Sequence, residues 1–249
     1  EEVEKKKSSS HAPKLFDLAA IQAEAGSKYK FKPDHTLELV QSLYEKHKVI
    51  SYPRTQCRYV SSEKAKEIPA IMENIAVFED LGKIAAGLDK GAFTKILKDK
   101  AVVNDTEVSK ESHDALLPTL KRPDLSRMNE EEQIICKMIY MRLLAQFLPK
   151  LEEEKATIKI RHAEADSEDI DAENEAGGIF KASGKVVTEP GWSILYKKAG
   201  GHALPPLKKG ERITAKSMKP TEKETSPPKR LTQATLINAM RNIATQIED

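Results

Sequence analysis

The apolar pattern of this 249-residue chain changes period once, at Pro149, and that change constrains its fold more than any other feature. Before Pro149, apolar residues recur three and four apart, the spacing that lines one face of a helix. Leu15, Leu18, Ile21 and Gln22 open one segment, and a second runs from Asp34, a candidate N-cap, through Leu37, Val40 and Leu43 to His47. Ser62 is placed to cap a third, carrying Ala65, Ile68, Ile71 and Ile75. The clearest helix follows Asn129: Asn129 and Glu132 match a capping box, and Ile134 to Leu148 give a broad apolar face that Pro149 ends. After Pro149 the residues alternate instead, in Thr157 to Ile160 and in parts of Gly178 to Val187 and Ser193 to Tyr196, with Gly and Pro between, as short strands require.

The expected fold class is therefore α+β. A helical domain covers residues 14–150 and a smaller β-rich domain covers 151–220, while residues 1–13 read as the end of a β-domain segment or a linker. Glu164 to Glu175 is dense in acid without an apolar period and reads as a solvated hairpin tip. Lys219 to Arg230 is basic and proline-containing, a linker, and Leu231 to Ile237 begins another helix, so 221–249 reads as the start of a further helical domain.

Composition narrows the function classes. The chain is 32% charged and 39% hydrophobic, with no apolar run long enough to span a membrane. Its 41 basic and 39 acidic residues nearly cancel, so local charge matters more than the total. Cys57 and Cys136 lie far apart without metal-ligand spacing, which points to a reducing, cytoplasmic setting. No signal peptide is visible, the chain lacks an initiator Met, and it stops inside a helical pattern, which reads as an excised piece of something longer.

Ile50-Ser51-Tyr52-Pro53-Arg54-Thr55-Gln56-Cys57-Arg58-Tyr59 carries the chemistry. A phenol of pKa about 10 is only about 0.1% ionised at neutral pH, so a tyrosine nucleophile needs a cation beside it. Arg54 is such a cation, able to stabilise both the phenolate and the charge that builds on an attacked phosphate. Pro53 disfavours the α region for Tyr52, and in an extended segment Tyr52 and Arg54 project to the same side. Read alone, the same residues also describe an amphipathic tyrosine at a core edge among solvating arginines.

Two further motifs give context: Ser112-His113-Asp114-Ala115-Leu116-Leu117-Pro118-Thr119, and Thr225-Ser226-Pro227-Pro228 followed by Leu231-Thr232-Gln233-Ala234-Thr235-Leu236. With Tyr52-Pro53-Arg54-Thr55 they resemble, in order and over nearly the whole chain, the type IA DNA topoisomerases, particularly the topoisomerase III branch. Leu15-Phe16-Asp17-Leu18 and Leu43-Tyr44-Glu45-Lys46-His47-Lys48 also look like that family. The resemblance implies a gate region, in which a helical domain bearing the tyrosine joins a β-rich hinge domain. It implies that Tyr52 attacks a single-stranded DNA phosphodiester, forming a 5′-phosphotyrosine and freeing a 3′-hydroxyl, so that resealing needs no ATP. Arg54 would bind the scissile phosphate and His113 a phosphate near the break. Thr55 and Ser112 would join the phosphate-binding set, and Arg58 would add a DNA-facing charge.

The resemblance further implies a Mg2+ bound by a Toprim domain, which is expected ahead of Glu1, so that neither metal nor cofactor is expected on this chain and it is not expected to relax supercoils alone. A monomer acting on single-stranded DNA is expected. Gln56 stands where the family commonly has aspartate, Cys57 where it often has serine, and Gln233 replaces a common glutamate. The Asp169-Ile170-Asp171 pair resembles an acidic metal motif, but it lies within the acidic tip and reads as solvated charge. A tyrosine recombinase would need a His-x-x-Arg pair ahead of a late tyrosine, and a relaxase two histidines around one apolar residue; neither occurs. The remaining alternative is a non-catalytic clamp for single-stranded nucleic acid, poorly supplied with stacking rings at 5% aromatic residues.

Overall fold

The computed structural model describes residues 2–89, 91–161, 179–196, 201–214, 216–217, 219–241 and 243. The acidic tip and its Asp169-Ile170-Asp171 motif lie outside the described residues. The fold mixes helices with a small antiparallel sheet, and the chain divides into two compact units, each made of two stretches.

One unit comprises residues up to His11 and those from Pro149 to Pro227. Its sheet has the order β1-β2-β3, with β1 at Glu2–Ser10, β2 at Leu151–Arg161 and β3 at Ile179–Glu189. Both pairings are antiparallel, with Val3 opposite Ile158 and Ile158 opposite Ala182, and the second slips at a bulge between Glu152 and Glu153. Ser193 to Tyr196 is not a strand but part of a 3-10 helix, Gly191–Tyr196. The cause is local. Gly191 takes φ +45°, and a Cβ there would stand 2.3 Å from the carbonyl oxygens of Pro149 and Lys150, so the chain turns tightly at a position only glycine fits. That turn seats Trp192, which is buried and donates its indole N–H to the Ser10 carbonyl at 2.9 Å.

The other unit, residues 12–148 with those from Pro228 onward, is helical. It contains α1 (Leu18–Tyr29), α2 (Pro33–Glu45), α3 (Ser62–Ala65), α4 (Ile68–Glu73), α5 (Glu79–Ala86), α6 (Ala92–Lys98), α7 (Asp105–Val108), α8 (Glu130–Ala145) and α9 (Gln233–Arg241). Two starts and one continuous run differ from the sequence expectation. Pro33 occupies the first helical position of α2, so Lys32 is its N-cap and Asp34 falls in the first turn. Ser61 caps α3, accepting from Lys64 N, because Ser62 is bound through its amide and hydroxyl to Asp105. The apolar run from Ala65 to Ile75 is broken into α3, α4 and a 3-10 turn, since Pro69 cannot continue a helix begun upstream. Helix α9 packs on α1 inside this unit, with Ala234 buried against Gly26.

The centre of the helical unit is α8, packed against α2 and α5 and buried over most of its length. Its capping box is formed: Asn129 accepts from Glu132 N at 2.8 Å, and Glu132 accepts from Asn129 N at 2.9 Å. Glu132 is itself buried, takes a hydrogen bond from the Ser42 hydroxyl at 2.5 Å, and lies 3.3 Å from the His47 ring. Burial alone would push its carboxyl up. The Ser42 and Asn129 donors and the His47 ring outweigh that and hold it below its ordinary 4.5.

Asn129→Ala is expected to cost about 1 kcal/mol in thermal or denaturant unfolding, the usual loss for a capping side chain. Glu132→Gln tests the charge. A carboxyl held below its ordinary value stabilises the fold fully above about pH 4.5, and that contribution is lost as pH falls through its lower folded-state value. The melting-temperature gap between wild type and Glu132→Gln should therefore be largest near pH 7 and shrink below about pH 4.5; a gap independent of pH would remove the charged role.

Candidate active site

Three separated segments are laced together around Tyr52. Residues 48–51 run antiparallel to 117–119: Ser51 N donates to Leu117 O at 2.8 Å and Thr119 N to Val49 O at 3.0 Å. Ser51 doubles the tie with its hydroxyl, which accepts from Leu117 N at 2.9 Å and donates to Ala115 O at 3.2 Å. The third segment, at Phe16, receives Leu116 N at 2.8 Å, and Leu18 N donates to Thr55 O at 3.1 Å. On the far side of the tyrosine, Ala115 N donates to Tyr59 O at 2.8 Å, and Asp114 accepts from Ser61 N. Ser51, just before Tyr52, and Tyr59 and Ser61, beyond it, are thus all fixed to the 114–119 segment.

Between these ties, exposure alternates. Tyr52, Arg54 and Gln56 are exposed, while Pro53, Thr55 and Cys57 are buried, although the chain bends at Pro53 and Arg54 and forms no strand there. Alternation of this kind places Tyr52 and Arg54 toward solvent together. The Tyr52 ring is 37% exposed and lies between two others: His113 at a centroid distance of 4.5 Å, tilted by 44°, and Tyr44 of α2 edge-on at 5.6 Å. Such ring pairs fix orientation as well as burying area.

The remaining candidates divide by what already engages them. Arg54 makes no hydrogen bond or ion pair with a described residue, so its guanidinium is available to a ligand. His113 and Ser112 are exposed as well. Thr55 is buried; its hydroxyl accepts from Cys57 N at 3.1 Å and reaches the His113 carbonyl at 3.5 Å, so it holds the two segments together. Arg58 is half-buried and donates to the carbonyls of Leu15 at 3.0 Å and Lys14 at 3.4 Å, which makes it a brace for the Phe16 segment. Sequence reasoning passed over Ser51 and Tyr44 as site residues. Ser51 carries no motif signal of its own, and Tyr44 meets Tyr52 only because the chain reverses after α2.

Tyr52 is exposed, whereas two other potential nucleophiles of this unit are not. Cys57 is buried, and that burial pushes its thiol up; Tyr140 is wholly buried and its phenol is raised for the same reason. Among the described residues, no group of three or more His, Cys, Asp or Glu is arranged to hold a metal ion. No helix of the described residues is long and apolar enough to cross a membrane.

Comparison with known proteins agrees over nearly the full length. The sequence model of the DNA topoisomerase family matches residues 1–245. The chain is 32% identical over 244 residues to DNA topoisomerase 3 of Bacillus licheniformis, covering 94% of this chain and 31% of that protein. It is 31% identical over 251 residues to DNA topoisomerase 3 of Bacillus subtilis, covering 97% of this chain and 32% of that protein. This chain therefore spans about a third of the length of these relatives. The fold is similar to that of full-length topoisomerase I from Thermotoga maritima, with a TM-score of 0.62 at 22% identity, over 98% of this chain and 37% of that one. A tyrosine segment laced to a Ser-His motif, in a chain matched from its first residues almost to its last, belongs to the type IA DNA topoisomerase family, among relatives named topoisomerase 3.

Proposed function

We propose that this chain is the gate region of a type IA DNA topoisomerase and carries the nucleophile of strand cleavage, Tyr52. The observation that carries the reading is the pairing of an exposed Tyr52 ring, held by His113, with an unengaged Arg54 on the same side of the chain. The Tyr52 oxygen attacks a phosphorus of single-stranded DNA. An O–P bond forms to the tyrosine, the bond from phosphorus to the 3′-oxygen breaks, and the phenolic proton ends on the released 3′-hydroxyl. The 5′-phosphotyrosine conserves the energy of the phosphodiester, so attack by the 3′-hydroxyl reverses the step without ATP.

Arg54 neutralises charge on the non-bridging oxygens as phosphorus is attacked. His113 and Ser112 bind a phosphate flanking the break. Thr55 and Arg58 act from behind, through the backbone they fix. While the strand is open, a second strand passes and the break is resealed, which changes DNA topology.

The test is covalent capture in a protein that carries this chain at the full length of its relatives. Wild type should yield a denaturation-resistant adduct with a 5′-phosphate of a single-stranded oligonucleotide, and Tyr52→Phe should yield none. A persistent adduct in Tyr52→Phe would remove the assignment, and a wild type that binds without ever forming an adduct would favour the non-catalytic clamp. Arg54→Ala should lower the rate of adduct formation by about 100-fold, the scale of losing one charge-stabilising donor, with folding unchanged because Arg54 holds no described residue.

A further inference from the structure

The proposed chemistry gives Tyr44 no part, yet its ring meets that of Tyr52. The contact is edge to face, at a centroid distance of 5.6 Å and an interplanar angle of 82°. On its other side Tyr52 meets His113 at 4.5 Å. An exposed tyrosine has two free torsions, and its hydroxyl must come in line with a phosphorus to react. No hydrogen bond to the Tyr52 hydroxyl from a described residue fixes it, so ring contacts are what restrict it. His113 is not the whole restraint, since it is exposed and, in the proposed function, also binds a phosphate.

We infer that Tyr44 is a positioning residue for the nucleophile: its ring, set nearly perpendicular to that of Tyr52, restricts it so that the phenol oxygen is presented in line before DNA arrives. Tyr44 is suited to this because its own position is fixed independently. It lies in the last turn of α2, directly after Leu43, which is wholly buried, and Ser42, which is bound to the buried Glu132 of α8. From there the chain reverses. His47 N returns to Ser42 O at 3.1 Å, Val49 N to Leu43 O at 3.0 Å, and Lys48 takes φ 61°, a left-handed conformation that costs a residue with a Cβ. The reversal carries the segment of Tyr52 back across the helix end and onto Tyr44. Helix α8, through Ser42 and Tyr44, thereby sets the orientation of a side chain it does not touch. The hydroxyl of Tyr44 has no hydrogen bond with a described residue, so the ring, not the oxygen, does the holding.

The inference rests on Tyr52 being the nucleophile, and the test separates the two. In the full-length protein, Tyr44→Ala, Tyr44→Phe and Tyr52→Phe are compared by single-turnover adduct formation on a single-stranded oligonucleotide and by affinity for that oligonucleotide, with thermal melting as the check on folding. Tyr44→Ala should slow adduct formation about tenfold while changing affinity by less than about twofold, and Tyr44→Phe should restore the wild-type rate. A Tyr44→Ala rate equal to wild type overturns the inference. So does a loss that appears wholly as weaker binding, which would make Tyr44 a DNA contact, or a Tyr44→Phe as slow as Tyr44→Ala, which would give the role to the hydroxyl. If Tyr44→Ala proves unfolded, Tyr44→Leu, which keeps bulk without a ring edge, takes its place with the same expected slowing. An adduct persisting in Tyr52→Phe would instead overturn the nucleophile itself.

Discussion

The double tie between Ser51 and the 115–117 backbone is the interaction on which the rest of the site depends. One residue before the exposed tyrosine, Ser51 uses its amide and its hydroxyl on three backbone groups of a segment about 65 positions away. Each such hydrogen bond contributes only about 0.5–1.5 kcal/mol net, but an unmade one in a part-buried place costs the full desolvation of the group. The tie therefore acts less as a source of stability than as a penalty on every other register of the two segments. Because Leu116 also pairs with Phe16, a slip at Ser51 would break the Phe16 pairing too.

Behind this lacing stands a second layer that never reaches the surface. Arg142 of α8 is buried, donates to the Lys14 carbonyl at 2.8 Å, pairs with Glu24 of α1, and lies 3.9 Å over the ring of Phe16. Arg58 holds the carbonyls of Lys14 and Leu15 from the tyrosine segment itself. Two guanidinium groups thus converge on one short stretch of backbone. A buried charge is costly unless fully partnered, and here the partners are the carbonyls and carboxylate that fix where Phe16, and hence Leu116, can lie. At its other end α8 does the same through Glu132, which binds Ser42 ahead of Tyr44. The helix whose capping box and apolar face are plainest in the sequence is the one to which both halves of the site are referred.

What the sequence discloses follows from how local each cause is. The capping box of Asn129 and Glu132 lies within four residues and is legible directly. The mixed helical and sheet character follows from a change of period, which survives errors in individual boundaries. The misplaced starts of α2 and α3 were settled by neighbours: Pro33 claimed the first helical position, and Asp105, 43 residues on, claimed Ser62. The 3-10 turn at Trp192 was hidden for a different reason. Ser193 to Tyr196 alternates as a strand would, but a positive φ at Gly191 and the indole bond to Ser10 decide the backbone, and neither has a periodic signature. The Tyr44 contact belongs with these, since it depends on a left-handed Lys48 that no pattern announces.

The arginines make the same point about chemistry. Residue type and spacing put Arg54 and Arg58 on an equal footing, four apart in a segment that reads as extended. Partners separate them. Arg58 is occupied by two carbonyls and Arg54 by no described residue, so of the two it is Arg54 that can take up an anion without first giving up a bond inside the protein. A guanidinium that must break two hydrogen bonds before it binds starts with that cost against it, whereas one already free in water exchanges hydration for a phosphate in a geometry it matches. The exposure of Tyr52 has the same logic in reverse. A wholly buried tyrosine such as Tyr140 is fixed but unreachable, and a lone exposed one is reachable but unfixed. Two flanking rings restrict Tyr52 while leaving it 37% exposed, so it is at once held and reachable.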